Sequence, residues 1–349
     1  MKNFPERLKS ARLKSGMSIQ DLVDRLDNQL SKQAISRYEN GVMKPNGENL
    51  ELLCQALGVD EAYFNRDIQV TLSEPSYRKL KRLSSRDQEM ILQMAVDHLE
   101  RYLELESLLG EEPTLKVALK EYRVSTIQDV ETAAEHFREK LGFGEDPIIN
   151  LINRLEEEGI KVVEIITPLD FSGFATVMNG QYPVIVLNNS PEVPTDRKRF
   201  TLAHELGHLL LDLGEGMDEE KCCNRFAGAL LITQKKMREE LRSPRHNIHI
   251  RELILLKEQY GISLQALLYR AKDLEIISDY IYLEQIKMFN RLGIRKQEPG
   301  KFNYEEQSHH FMQLTLRGVA EKIISHTKAA TLNNMKTEEF TKYFMDDFT

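Results

Sequence analysis

The residues best suited to chemistry lie in one stretch, Arg199-Phe200-Thr201-Leu202-Ala203-His204-Glu205-Leu206-Gly207-His208-Leu209-Leu210-Leu211. On a helix His204 and His208 fall one turn apart on the same face, so both imidazoles can reach one metal ion. Glu205 stands beside them, placed to take a proton from a metal-bound water, which makes this the constellation of a zinc hydrolase. The competing reading is a buried amphipathic helix with two incidental histidines. Phe200, Leu202, Ala203, Leu206, Leu209 and Leu210 recur at helical spacing. That pattern suits a core helix presenting its histidines to a cleft, and it favours the metal.

Such a helix needs elements to hold it. Upstream, apolar periodicity predicts helices near 130–141 and 148–157, then a β-branched strand at 159–166. Two further strands are expected at 173–177 and 183–188, joined by a turn at Asn179-Gly180. Helices, a small antiparallel sheet and the metal helix make an α+β arrangement. Downstream, 218–231 reads as a second helix with an acidic first turn and an apolar face. A third metal ligand must come from farther along the chain, and this helix carries Glu219, Glu220, Cys222 and Cys223. Adjacent cysteines on a helix point about 100° apart, so at most one of that pair faces a given site.

The first 68 residues read as a separate all-α unit. Phe4, Leu8 and Ala11 mark a helix ending near Gly16; Ser18 caps a second through Ile19, Leu22 and Val23; Ser31 caps a third that Asn40-Gly41 ends. Pro45 precedes a fourth with Leu50, Leu53 and Leu57. Two short helices joined by a tight turn within a small helical set is the helix-turn-helix plan. Ile19-Gln20-Asp21-Leu22, followed by Ser31-Lys32-Gln33-Ala34-Ile35-Ser36-Arg37-Tyr38-Glu39-Asn40-Gly41 and Pro45, resembles the XRE/Cro-type DNA-binding domain. The resemblance implies that the helix starting at Ser31 enters the major groove of an operator. Lys32, Gln33, Ser36 and Arg37, with Ser31 at the helix start, are then nominated for DNA, and Gln20 for a phosphate.

The metal helix carries a second resemblance. Phe200-Thr201-Leu202-Ala203-His204-Glu205-Leu206-Gly207-His208, with Glu220-Lys221-Cys222-Cys223-Asn224-Arg225-Phe226-Ala227 behind it, resembles the ImmA/IrrE family of zinc peptidases. In that family a glutamate about one turn before the Asn-x-Phe-Ala signature completes the site, which implies Zn2+ held by His204, His208 and Glu220 with Glu205 as general base. Glu219 and the cysteines stay open as competitors. The resemblance also implies a minimal zincin-like fold, whose exposed strand edge can hold an extended peptide. Cleavage of a helix-turn-helix repressor or cognate regulatory protein is the implied activity. The alternative is a transcriptional regulator or antitoxin whose zincin-like domain senses a ligand or binds a partner without significant proteolysis.

Composition frames both readings. The chain has 349 residues, 41% hydrophobic and 29% charged, with a net charge of −8, which leaves room for one DNA-reading module but not for a nucleic-acid-binding surface throughout. No apolar run suggests a membrane span or signal peptide, and three cysteines make no disulfide framework, so a cytoplasmic protein is expected. Residues 69–112 read as a helical connector and possible homodimer seam, with Met90, Leu92, Val96, Leu99, Tyr102, Leu103 and Leu108 along one long helix and a basic cluster at 77–82 before it. Residues 113–234 form the expected peptidase domain and 235–349 a helical C-terminal region. That region includes a Ser-capped helix pair at 253–274, and His309-His310 is read there as a surface feature. No oxyanion-stabilising residue is assigned among Tyr260, Tyr269, His246 and His249.

Overall fold

The computed structural model describes residues 3–67, 70–73, 83–111, 115–242, 244–295 and 297–345. The basic cluster at 77–82 lies outside them. The chain is multidomain, with a helical N-terminal unit, a mixed α/β region and a helical C-terminal part. No helix among the described residues is long and apolar enough to cross a membrane.

The N-terminal unit comprises α1 (Phe4–Lys14), α2 (Ile19–Arg25), α3 (Lys32–Glu39) and α4 (Gly47–Leu57). The expected caps form. Ser18 makes a capping box with Asp21, and the Ser31 hydroxyl accepts from the Ala34 amide at 3.2 Å. Phe4, Leu8, Leu22, Ile35, Tyr38 and Leu53 build its core.

α5 (Ser85–Leu109) is the spine of the molecule. Near its middle it receives the N-terminal unit: Arg7 forms a buried ion pair with Glu100, and Lys14 lies 3.3 Å from Asp97. Ile91, Ala95 and Leu99 pack on a sheet, while Tyr102 and Leu105 pack on C-terminal helices. Apart from Leu108, the apolar positions offered by the sequence as a dimer seam are thus engaged within the chain. Leu99 and Tyr102 are buried, and Leu108 is the large apolar residue that α5 leaves exposed.

The α/β region follows with β1 (Tyr122–Val124), α6 (Ile127–Lys140), α7 (Leu151–Glu157), β2 (Lys161–Ile165), β3 (Gly173–Met178), β4 (Tyr182–Asn188), α8 (Thr195–Leu210), β5 (Leu211–Leu213) and α9 (Glu219–Leu231). The three-stranded sheet has order β2-β4-β3 and is mixed, not antiparallel as expected: β2 pairs parallel with β4, and only β3 and β4 form a hairpin. Its turn uses Asn179 and Gly180, both at positive φ, as a tight hairpin requires. Val163, Phe174, Val184 and Val186 face α5, while Val162, Ala175, Ile185 and Leu187 face the core that contains α8 and α9. The outer edge of β3 is partly covered rather than open: Leu72 bridges Met178, and the Ser73 amide donates to the Val177 carbonyl at 2.9 Å.

The chain ends with α10 (Gln234–Leu241), α11 (Ile250–Tyr260), α12 (Leu264–Asp273), α13 (Asp279–Arg291), α14 (His310–Ala320), α15 (His326–Leu332) and α16 (Thr337–Met345). The core around α8 continues past residue 234 through Met237, Leu253, Leu267 and Phe289. α14–α16 instead pack with the end of α5.

The Arg7–Glu100 pair is a buried polar lock between the N-terminal unit and α5. Glu100→Ala leaves a buried guanidinium without its counter-charge and should lower unfolding free energy by about 3 kcal/mol, measured by denaturant titration.

Candidate functional site

Two close approaches bring the metal helix into place. At Gly173 a side chain would stand 2.7 Å from the Val186 carbonyl and 2.9 Å from Thr201, so glycine lets β3 lie directly on α8. At Gly207 a Cβ would meet Cys223 at 3.2–3.3 Å, so glycine there lets α9 cross α8 beside the histidines. The helix's far end is held by Lys120, whose ammonium donates to the His208 carbonyl at 2.9 Å and the Leu211 carbonyl at 3.0 Å. A cation on terminal carbonyls is where the helix dipole favours one. α8 then runs straight into β5, which pairs in parallel with β1. Its first half is anchored by the fully buried Arg199, ion-paired with Glu306 and donating to the Ile148 carbonyl at 2.8 Å.

The two imidazoles converge. His204 Nε2 lies 3.2 Å from His208 Nε2, and the Glu220 carboxylate reaches both, at 3.5 Å and 3.6 Å. The opposite ring nitrogens are engaged by α9: His204 Nδ1 lies 2.8 Å from Asn224 Oδ1, and His208 Nδ1 lies 3.0 Å from Glu219 Oε1. A carboxylate can only accept, so the His208 proton sits on Nδ1 and leaves Nε2 as an acceptor; the Asn224 carbonyl does the same for His204. Two acceptor nitrogens and a carboxylate then face one point, an arrangement that a cation satisfies. Two nitrogens about 2.0–2.1 Å from a tetrahedral zinc would be roughly 3.3–3.4 Å apart, so the residues present fit the ion.

Glu205 is fully buried on the same helix. Cys223 Sγ lies with the ligand nitrogens of His204 and His208 in a cluster whose atoms are all within 4.8 Å of one another. Burial and the carboxylates of Glu219, Glu205 and Glu220 push the Cys223 thiol well above its ordinary range. Cys222, its neighbour, is buried in the core. Thus Glu220 reaches the histidines' inner nitrogens, Cys223 belongs to one cluster with the two rings, and Glu219 meets an outer nitrogen.

Behind Asn224, Arg225 and Arg270 both pair with the wholly buried Glu131, Arg270 by two bonds of 2.9 and 3.0 Å. Burial alone would raise the Glu131 carboxyl, but the two guanidiniums hold it below the usual range. This ties α9 to α6 and α12 next to the residue that orients His204. A cleft of about 1290 Å³ opens there, lined by Thr201, Asn224, Arg225, Tyr269 and Lys301 among others; it borders the histidines without including them. Of the residues left unassigned for the oxyanion, Tyr260 is buried with its hydroxyl 3.4 Å from Glu240, and His249 caps α11. The His309-His310 pair joins no metal-ligating cluster among the described residues.

On the N-terminal unit, α3 buries Ile35 and Tyr38 and exposes Lys32, Gln33 and Arg37. Ser36 is half-buried beside Asn40, Ser31 is occupied as the cap, and Gln20 is exposed on α2 with its amide 2.9 Å from Asp24. Five of the six nominated residues therefore lie on α2 and α3 and Ser31 caps α3, which carries the open polar face. Lys120 is the site residue that motif reading misses, while Asn224 and Gly207 lie within the motifs without a role read for them.

Residues 155–272 match the family model described as the IrrE N-terminal-like domain, and residues 8–64 match the helix-turn-helix model. No curated protein and no solved structure matches the chain. Asn224 orients His204 without reaching the inner face of the site. Asn224→Ala should therefore weaken zinc binding by about 10–100-fold while leaving the fold intact, measured by competition with a chromogenic chelator.

Proposed function

Because the chain joins a helix-turn-helix domain to an IrrE N-terminal-like domain, we propose that it is a DNA-binding, zinc-dependent endopeptidase acting on a repressor or cognate regulatory protein. The observation that carries this is the convergence of His204 Nε2, His208 Nε2 and the Glu220 carboxylate on one point, with Glu205 buried on the same helix. Zinc bound there would supply Lewis acidity, polarising the scissile carbonyl and making water a competent nucleophile near neutral pH.

The chain's own residues do the rest. His204, His208 and Glu220 hold the ion, and Asn224 and Glu219 keep both rings turned inward. Glu205 accepts the proton of the attacking water on its carboxylate and returns it to the leaving amine. A binding module has no chemical need for a carboxylate at that position, and the intact Glu205 therefore favours proteolysis over the regulator or antitoxin reading. The exposed α3 face supports operator binding, with Arg37 and Gln33 suited to guanine and adenine edges.

Two experiments test the two halves. Purified wild type and Glu205→Gln should each carry near-stoichiometric zinc and Glu220→Ala should lose most of it, while cleavage of proteins encoded beside this chain is lost in both variants. Zinc without cleavage under any condition would move the assignment to a regulator. For DNA, Arg37→Ala should weaken binding to a site selected from random sequence by about 1–3 kcal/mol and relax preference at one base pair, read by fluorescence anisotropy at fixed salt. Unchanged affinity and preference would remove α3 as the reading helix.

A further inference from the structure

The ligand set proposed above leaves one group within reach of the ion unaccounted for. Cys223 is 1% exposed, and its Sγ belongs to the same cluster as the two histidines, all ligand atoms lying within 4.8 Å. It stands one helical turn beyond Glu220 on α9, which brings both residues to the face that crosses α8. The crossing is tight at this residue: a Cβ on Gly207 would stand 3.3 Å from the Cys223 sulfur. The sulfur is therefore held beside the turn that separates His204 from His208. Cys222, also 1% exposed, does not belong to that cluster.

We propose that Cys223 is a fourth protein ligand to the metal, so that the site has a closed resting form with four protein ligands and an open form in which water replaces the thiolate. This rests on the metal-centre reading of the preceding subsection. A zinc ion with four protein ligands is the pattern of structural sites, whereas catalytic sites keep one position for water. On closure the Cys223 S–H proton leaves to solvent as the metal–sulfur bond forms. On opening that bond breaks, water takes the vacated position and the thiolate is reprotonated. No oxidant or reductant is required. The peptidase is then silent while Cys223 is bound, without any inhibitory domain.

Cobalt reports a thiolate ligand directly, through a near-ultraviolet sulfur-to-metal charge-transfer band. The full-length chain loaded with one equivalent of Co2+ should show that band, Cys222→Ser should keep it, and Cys223→Ser should lose it while still binding cobalt. Zinc-edge X-ray absorption of the wild-type chain needs no variant and should show one sulfur at about 2.3 Å. One equivalent of bound cobalt without the band, a band that survives Cys223→Ser, or a zinc shell of nitrogen and oxygen alone would overturn the thiolate and leave the His204-His208-Glu220 site standing. A wild-type chain that binds neither metal would overturn the metal centre itself, and the fourth ligand with it.

Discussion

The site depends on how closely α8 and α9 approach one another. The described groups gathered at the candidate metal position come from these two helices: the histidines and Glu205 from one, and from the other Glu220 and Cys223, with Glu219 and Asn224 on the outer ring nitrogens. Side chains of ordinary size between them would separate the axes, and the carboxylate of Glu220 would no longer span both Nε2 atoms at 3.5–3.6 Å. Gly207 removes that obstacle at the point where Cys223 passes. The glycine inside the H-E-x-x-H pattern is thus a packing requirement, and the chemistry follows from the distance it permits.

Close approach alone does not fix ring orientation, and here buried charge matters. Each buried ion pair costs desolvation, so its value lies in geometry that an apolar contact would not enforce. Glu131 holds Arg225 and Arg270 together and locks the α9 turn that carries Asn224. Arg199 with Glu306 locks the start of α8, and Lys120 locks its end. The histidines sit between two fixed ends, and their outer nitrogens meet acceptors that cannot easily move away. Such second contacts set the tautomer, and with it which nitrogen can bind metal.

Much of this was legible in the chain. The H-E-x-x-H helix, the Ser18 and Ser31 caps, the Asn179-Gly180 turn and the three strand segments all follow from local periodicity and turn chemistry. Pairing direction did not, because a β-branched run carries no mark of its neighbour; β2 lies against β4 in parallel although β3 intervenes in sequence. The three-residue strands β1 and β5 are too short for any alternation to register. Glu219 is a candidate ligand by its place in the sequence, and its meeting with the outer nitrogen of His208 depends on the crossing geometry of two helices. Lys120 lies 88 residues before the carbonyl it satisfies, a contact no local pattern reports.

The seam residues of α5 show the same limit from the other side. An amphipathic helix of 25 residues announces that it will be covered, but not by what. Here three different surfaces of the same chain cover it: α1 through Arg7 and Lys14, the sheet through Ile91 and Leu99, and the C-terminal helices through Tyr102 and Leu105. The sheet that α5 supports is the one on which α8 rests, and the chain leading into α5 also pairs with the outer edge of β3 at Leu72. The helix-turn-helix unit and α8 are therefore attached to opposite faces of one framework. Between α1 and α8 lie α5 and the three-stranded sheet, each packed on the next.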